Sequence, residues 1–310
     1  MFSDFQSYKQ KRYNFWWTWA SVGWTICATM MAEIVLGVIY ILATISAHPE
    51  LESFSMPIAV SLFSTFGGVL ATSYVVFKQN KWTRADIGLT INKRTVREYL
   101  IGALLGLAML IGSIAPAWIM GQATFGVANI TTQLLGHWLV CGVGFIVQSF
   151  FEEYLCRGFI LKRLNQRYNI YVAVFWQAVI FMLLHSGNPG MGLIPYLNLF
   201  LIGIVFAQVV IITDNLWLAS GLHWLWNFAQ GCIFGIKVSG LEGMPTLLDC
   251  TMNGHHLLTG GDFGIEGALS ATIVYVIVIA LLARKTLHTI RSKTEVVVSD
   301  DTDSTTEAQV

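Results

Sequence analysis

The sequence has little charge for its length. Of its 310 residues, 12% are charged and 55% are hydrophobic, and the mean hydropathy is +0.62. Soluble domains carry about 25% charged residues, and one core could not bury so much apolar surface, so a soluble enzyme is excluded. The 28 glycines and six prolines show no period, which excludes a fibrous or low-complexity chain. The composition indicates a membrane protein with several transmembrane segments.

The sequence also lacks an excess of charge of either sign and a pattern of paired cysteines. Basic and acidic residues are equal at 18 each, so nothing in the net charge indicates a nucleic-acid partner. The five cysteines form no C-x-x-C motif and no even framework, so neither a disulfide scaffold nor a catalytic thiol is favoured.

Long apolar runs predict the fold. A helix needs about 20 apolar residues to cross a bilayer core, and eight stretches qualify or come close. They cover residues 24–47, 57–77, 99–120, 132–151, 170–185, 193–212, 216–237 and 267–283. We therefore expect an all-α, polytopic membrane protein with about eight transmembrane helices.

The basic residues predict its orientation, because cytoplasmic loops are enriched in Lys and Arg. With eight helices and both termini in the cytoplasm, every Lys and Arg except Lys237 falls on the cytoplasmic side. The predicted organisation has a cytoplasmic N-terminal arm, one membrane domain that contains the core of the protein, and a disordered cytoplasmic tail. These cover residues 1–22, 23–290 (core about 130–238) and 291–310.

Ionisable residues inside apolar segments are costly and usually functional. The densest group is Glu152, Glu153 and Arg157. Glu153 and Arg157 are i,i+4 neighbours, a spacing that favours an ion pair, whereas Glu152 lies about 100° round the helix and is left for chemistry. Because apolar residues follow, we expect one long helix from 134 to 164 with the glutamates near its middle.

Two further segments supply polar partners at helical spacing. His185 ends the fifth apolar run, four residues after Phe181, and His223 and Asn227 share one face of the seventh. A glutamate poised by burial and nearby positive charge could take a proton from water. His185 could hold that water or relay its proton, and His223 and Asn227 could donate hydrogen bonds to an oxyanion. This set of groups favours amide hydrolysis within the membrane.

The pattern Glu152-Glu153-x-x-x-Arg157, Phe181-x-x-x-His185 and His223-x-x-x-Asn227 resembles the three signatures of the CAAX protease and bacteriocin-processing family. This family is also called CPBP or Abi, and it includes the Rce1-type prenyl-protein endopeptidases. The motifs occur in order on separate predicted helices and span residues 152 to 227.

The resemblance implies an intramembrane glutamate-dependent endopeptidase with an all-helical fold and a cavity open towards the cytoplasm. Glu152 would be the catalytic glutamate, and the other five motif residues would complete the site. A bacterial member would lie in the cytoplasmic membrane as a multi-pass protein. It would cut a peptide or a prenylated or otherwise membrane-anchored protein, and possible partners are a sensor kinase or a bacteriocin system.

Three alternatives stay open. Glu152, His185 and His223 could hold Zn²⁺ in a metalloprotease-like site, although a metal-free mechanism without any cofactor is preferred because Asn227 is a poor zinc ligand. A non-proteolytic immunity or regulatory protein could bind a bacteriocin receptor or a sensor kinase. A transporter is disfavoured because no internal repeat is visible.

Overall fold

The computed structural model describes residues 15–47 and 56–307. Over these residues the chain forms ten α-helices, two short strands and three π-helical segments. In chain order they are α1 Phe15–Ala47, α2 Met56–Ser73, the π segment Tyr74–Gln79, α3 Thr95–Ile119, β1 Ala123–Val127, α4 Thr132–Glu153, the π segment Tyr154–Leu161, α5 Lys162–Arg167, α6 Ile170–Leu184, α7 Leu193–Thr213, α8 Trp217–Phe228, the π segment Ala229–Ile233, β2 Leu248–Met252, α9 His256–Thr259 and α10 Leu269–Glu307.

The all-α, polytopic membrane fold predicted from the apolar runs is confirmed. Helices occupy all eight predicted positions. Within the described residues, six helical stretches are long and apolar enough to cross a membrane, whereas Ile170–Leu184 is apolar but shorter and α8 has only 12 residues. Eight crossings and the cytoplasmic location of both termini remain predictions.

The long helix predicted around the glutamates is present. From Thr132 to Arg167 the chain forms one apolar stretch of 36 residues, made of α4, a π segment and α5. Glu152 and Glu153 lie at the end of α4, and Arg157 lies in the π segment. Single-turn π segments inside helices often occur at functional sites. The apolar pattern of the sequence does not reveal this change in helix type.

The basic loops meet at one end of the helix bundle. Lys162 Nζ donates hydrogen bonds to the carbonyl and to Oδ1 of Asp86 at 2.6 and 2.9 Å. At the same end, Lys293 Nζ lies 2.8 Å from Asp214 Oδ1, and the two acidic partners belong to the segments before α3 and α8. The loops assigned to the cytoplasmic side therefore contact one another.

A small antiparallel sheet lies at the other end of the bundle. β1 and β2 pair with Ala123 opposite Met252 and Val127 opposite Leu248. The turn after α6 packs against the loop before α10. At this contact Gly190, whose φ is +74°, lies against the backbone of Phe263. The loops around residues 190, 240 and 265 are thus held together at this end.

Glycines fix α8 against α3. Gly102 and Gly106 of α3 face the backbone carbonyls of Leu218 and Leu222, and a methyl group at either glycine would overlap them. The small-residue motif Gly102-x-x-x-Gly106 permits this close approach, as it does in other membrane helices. Since Leu222 precedes His223, the same contact sets the position of that histidine.

The C-terminal part of the chain continues the last apolar helix, and the predicted division into an arm, one membrane domain and a disordered tail stays a prediction. α10 runs from Leu269 to Glu307, so the polar residues that follow Arg291 continue the apolar helix. A helix that already exists can be extended at little cost, because the unfavourable step is its nucleation. Residues 1–14 of the predicted N-terminal arm and 308–310 of the tail lie outside the described residues.

Candidate active site

The six candidate catalytic residues of the three motifs lie on or directly after three helices and form one connected cluster. α4 and its π extension carry Glu152, Glu153 and Arg157. His185 directly follows the last residue of α6, where Ser, Gly, Asn and Pro residues end the helix. The other two, His223 and Asn227, lie one turn apart on α8.

Glu153 is the centre of the cluster. Its Oε1 lies 3.0 Å from Arg157 Nη1 and 3.0 Å from His223 Nδ1. The ion pair predicted from the i,i+4 spacing is therefore present, and both of its side chains are fully buried. The contact with His223 joins residues 70 positions apart and was not predicted.

Two aromatic rings enclose the guanidinium of Arg157. The carbon Cζ lies 4.4 Å from the ring centre of Phe181 and 4.7 Å from that of Phe206. Nη2 also donates a hydrogen bond of 3.4 Å to the carbonyl of Gly203. Because aromatic faces attract cations, Phe181 of the second motif serves to hold Arg157. The ring of Phe206 also stacks on the imidazole of His223, with 5.0 Å between the ring centres.

The two histidines present the same nitrogen to Glu152. His185 Nδ1 lies 2.9 Å from the carbonyl of Phe181, which can only accept, so Nδ1 carries the proton and Nε2 points away from this bond. His223 Nδ1 donates in the same way to Glu153 Oε1, which also accepts a hydrogen bond from Arg157 Nη1. In both rings Nε2 is the atom that faces Glu152.

Glu152 has one oxygen in use and one available. Oε1 accepts a hydrogen bond of 2.5 Å from Gln148 Nε2, whereas the buried Oε2 accepts none from the described residues. Oε2 lies 3.9 Å from His185 Nε2 and 3.7 Å from His223 Nε2. These distances are too long for direct hydrogen bonds and suit a water molecule shared by the three groups.

Gln148 connects Asn227 to Glu152 and was missed by the sequence analysis. Its Oε1 accepts a hydrogen bond of 3.3 Å from Asn227 Nδ2, while its Nε2 bonds Glu152. The available signal was a polar residue four positions before Glu152 in an apolar segment, which places both on one face of the helix.

Four residues of the cluster line a cavity of about 320 Å³, namely Glu152, His185, His223 and Asn227. Most of its wall is apolar, and its polar part includes Asn188, Ser239 and Glu266 from the loops at the sheet end of the bundle. None of the described residues in the basic loops 78–97 and 162–169 lines it. The resemblance implied a cavity open towards the cytoplasm, and the side of the membrane to which this cavity opens stays a prediction.

Glu266 is a further acid of this cavity that the sequence analysis did not single out. Burial raises the pKa of its carboxyl above the usual value, although hydrogen bonds from Ser239 and the nearby charge of His185 lower it. No local pattern predicts this position, because Glu266 reaches the cavity only through the packing of three separate loops.

The positions of the side chains bear on whether this site could hold a metal ion. Among the described residues, no group of three or more His, Cys, Asp or Glu side chains is arranged to hold a metal ion. The ligand set Glu152, His185 and His223 has separations of 3.7 and 3.9 Å between Glu152 Oε2 and the two Nε2 atoms.

Comparison with known families agrees with the geometry. Residues 132–229, from the first residue of α4 to just after α8, match the family model of Rce1-like proteins, described as type II CAAX prenyl endopeptidases. All six motif residues lie inside this segment. A comparison with curated proteins finds no match. The recognition based on the three motifs is confirmed, since residues 132–229 of this multi-pass membrane protein are similar to the Rce1-like CAAX endopeptidase family.

Proposed function

We propose that this protein is an intramembrane endopeptidase that uses Glu152 to activate water. The observation that carries the proposal is the convergence of three atoms: Glu152 Oε2 faces the Nε2 atoms of His185 and His223 at 3.9 and 3.7 Å. A water molecule between them would be oriented by His185 and would lie beside a buried carboxylate that can act as a general base.

The reaction would proceed through a tetrahedral intermediate. Glu152 takes one proton from the water as the oxygen forms a bond to the scissile carbonyl carbon. The same carboxyl then gives this proton to the leaving nitrogen as the C–N bond breaks. Asn227 can donate its second Nδ2 hydrogen to the oxyanion, since only one is used by Gln148.

His223 would support the oxyanion in its protonated form. Its Nδ1 already donates to Glu153, so Nε2 gains a hydrogen for the oxyanion only when the ring is an imidazolium. The carboxylate of Glu153 stabilises that cation, as an acidic partner does for other catalytic histidines. Arg157 holds Glu153 in place through the ion pair.

The mechanism that we propose needs no metal. Zinc binds its ligands at about 2.0–2.2 Å in a tetrahedral array, and the hydrogen bonds of the motif residues already account for orientation without it. Zinc held by Glu152, His185 and His223 is the alternative, and chelation separates the two possibilities.

The cavity supports a membrane-associated peptide or protein as the substrate. Its apolar walls suit a hydrophobic segment, which could belong to a short peptide or to a prenylated protein. We place the protein in a bacterial cytoplasmic membrane on the resemblance of its motifs. A sensor kinase or a bacteriocin system would then be its regulatory context.

Replacement of Glu152 by Gln tests the proposal. The change keeps the size of the side chain and removes the base, so we expect cleavage of an apolar peptide library to fall by a factor of about 10²–10⁴. Glu242→Gln is the matched control, because the Glu242 side chain is 71% exposed and belongs to no motif. Both variants must reach the membrane in normal amounts.

Two other results would contradict the proposal in different ways. If Glu152→Gln cleaves peptides as well as the unmodified protein, Glu152 is not the base. If the unmodified protein cleaves nothing while the variant keeps the cellular phenotype, the fold serves as a binding scaffold for a bacteriocin receptor or a sensor kinase.

A further inference from the structure

Glu266 is a buried carboxylate on the cavity wall that the proposed reaction does not use. Its side chain comes from the short helical turn just before α10, and the residue is only 9% exposed. Oε2 accepts hydrogen bonds from Ser239 N at 2.5 Å, Ser239 Oγ at 3.0 Å and Gln230 Nε2 at 3.3 Å. These bonds tie the loop after α8 to the segment before α10.

The other oxygen of Glu266 has no such structural role. Oε1 makes no hydrogen bond with the described residues, and it is not among the atoms cut off from solvent. Since Glu266 lines the cavity, this oxygen is directed towards the space that a substrate would fill.

The charges on the cavity wall are one-sided. Glu152 and Glu266 supply two carboxylates, and His185 and His223 are the only basic side chains among its described lining residues, which include no Lys or Arg. A carboxylate on a substrate would find no permanent cation to pair with. A primary amine or guanidinium would find Oε1 of Glu266.

We propose that Glu266 determines substrate specificity by binding a cationic group of the peptide. The substrate class is a hydrophobic peptide with a Lys or Arg side chain, or a free α-amino group, a few residues from the scissile bond. Glu266 Oε1 accepts the hydrogen bond of that group, while Ser239 and Gln230 keep the carboxylate in position. The inference rests on the proposed endopeptidase function.

The test compares matched peptides with the purified full-length protein in liposomes. A library of apolar peptides carries Lys, Gln or Glu at each position around the cleavage site, and mass spectrometry measures kcat/KM for every member. At one position we expect Lys to exceed Gln by roughly 10- to 100-fold, as a charge-assisted hydrogen bond would give. Glu266→Gln should abolish this preference and Glu266→Lys should shift it towards Glu, while Glu242→Gln should leave it unchanged.

A second measurement needs no variant and covers the case in which changes at Glu266 prevent folding. Butylammonium should inhibit cleavage of a Lys peptide competitively, and butyrate at equal concentration should not. Equal inhibition by both ions, or a Lys preference that survives in Glu266→Gln, would overturn the inference. Cleavage without any charge preference overturns the inference alone. If the unmodified protein cleaves no peptide, the proposed function fails as well.

Discussion

Removal of the charge on Glu153 should destabilise the protein more than removal of the whole ion pair. In Glu153→Gln the guanidinium of Arg157 stays at its buried position, 0% exposed, between the rings of Phe181 and Phe206. The carbonyl of Gly203, at 3.4 Å, and the neutral amide oxygen of the substituted side chain are then its oxygen acceptors. The variant thus leaves a buried cation without its counter-charge.

The expected magnitudes follow from these contacts. Breaking a buried pair by removing one partner costs about 3–5 kcal/mol, whereas replacing both partners with apolar groups of similar size is often neutral. We therefore expect Glu153→Gln to lower the free energy of unfolding by about 3–5 kcal/mol. The double variant Glu153→Gln with Arg157→Met should recover most of this loss, since Met fills the space between the two rings without a charge.

The assay is reversible unfolding in mixed micelles with an increasing fraction of a denaturing detergent. The 11 tryptophans give the fluorescence signal, and the two single variants with the double variant complete a double-mutant cycle. Glu242→Gln is the control, because the ion pair of Glu242 with Lys237 is exposed and such pairs contribute little.

Two results would refute this reasoning. If Glu153→Gln unfolds at the same detergent fraction as the unmodified protein, the Arg157 site is solvated and the ion pair contributes no stability. If the double variant loses the sum of the two single losses, the two residues act independently and do not contribute to stability as a pair.

Three further predictions concern other parts of the molecule. Burial opposes the ionisation of Asp86, but hydrogen bonds from Thr83 and Lys162 outweigh it and lower the pKa of Asp86 from 3.8 to about 2. The ionised side chain therefore stabilises the fold fully above pH 3.8, and this contribution is lost as the pH falls towards 2. Over this pH range the melting temperature should fall less in Asp86→Asn than in the unmodified protein. EDTA or phenanthroline should leave peptide cleavage unchanged, and a loss restored by Zn²⁺ would contradict the metal-free mechanism. The orientation can be tested with single cysteines that replace Glu242 or Arg84 in a variant without the native cysteines. In intact cells, a membrane-impermeant maleimide should label the cysteine at position 242 and not the one at position 84. The reverse pattern would show that the predicted orientation is inverted.

The orientation matters for the route of the substrate. If the basic end faces the cytoplasm, the loops around Asn188, Ser239 and Glu266 face the opposite side, and the cavity that they line is reached from there or from the bilayer. Prenylated cytosolic proteins would then be disfavoured relative to exported or membrane-embedded peptides. The labelling experiment therefore also discriminates between the two substrate classes.

Local spacing in the sequence determined the positions of the helices and most residues of the candidate site. Apolar runs predicted every long helix, because the length of a run is a property of consecutive residues. The Glu153–Arg157 pair and the separation of Glu152 from it followed from the turn of the helix. The same periodicity placed His223 with Asn227, and together these residues carried the resemblance to CAAX proteases that the comparison confirmed.

Only the tertiary structure decided how the helices meet. The bond between Glu153 and His223 joins residues 70 positions apart, and it depends on the glycine contacts that set α8 against α3. Glu266 enters the cavity because three loops pack together at the sheet end. Such contacts depend on how helices and loops approach one another in space, and helical periodicity carries no information about that. The sequence therefore determined which residues could do the chemistry, and the packing decided which of them face one another and what surrounds them.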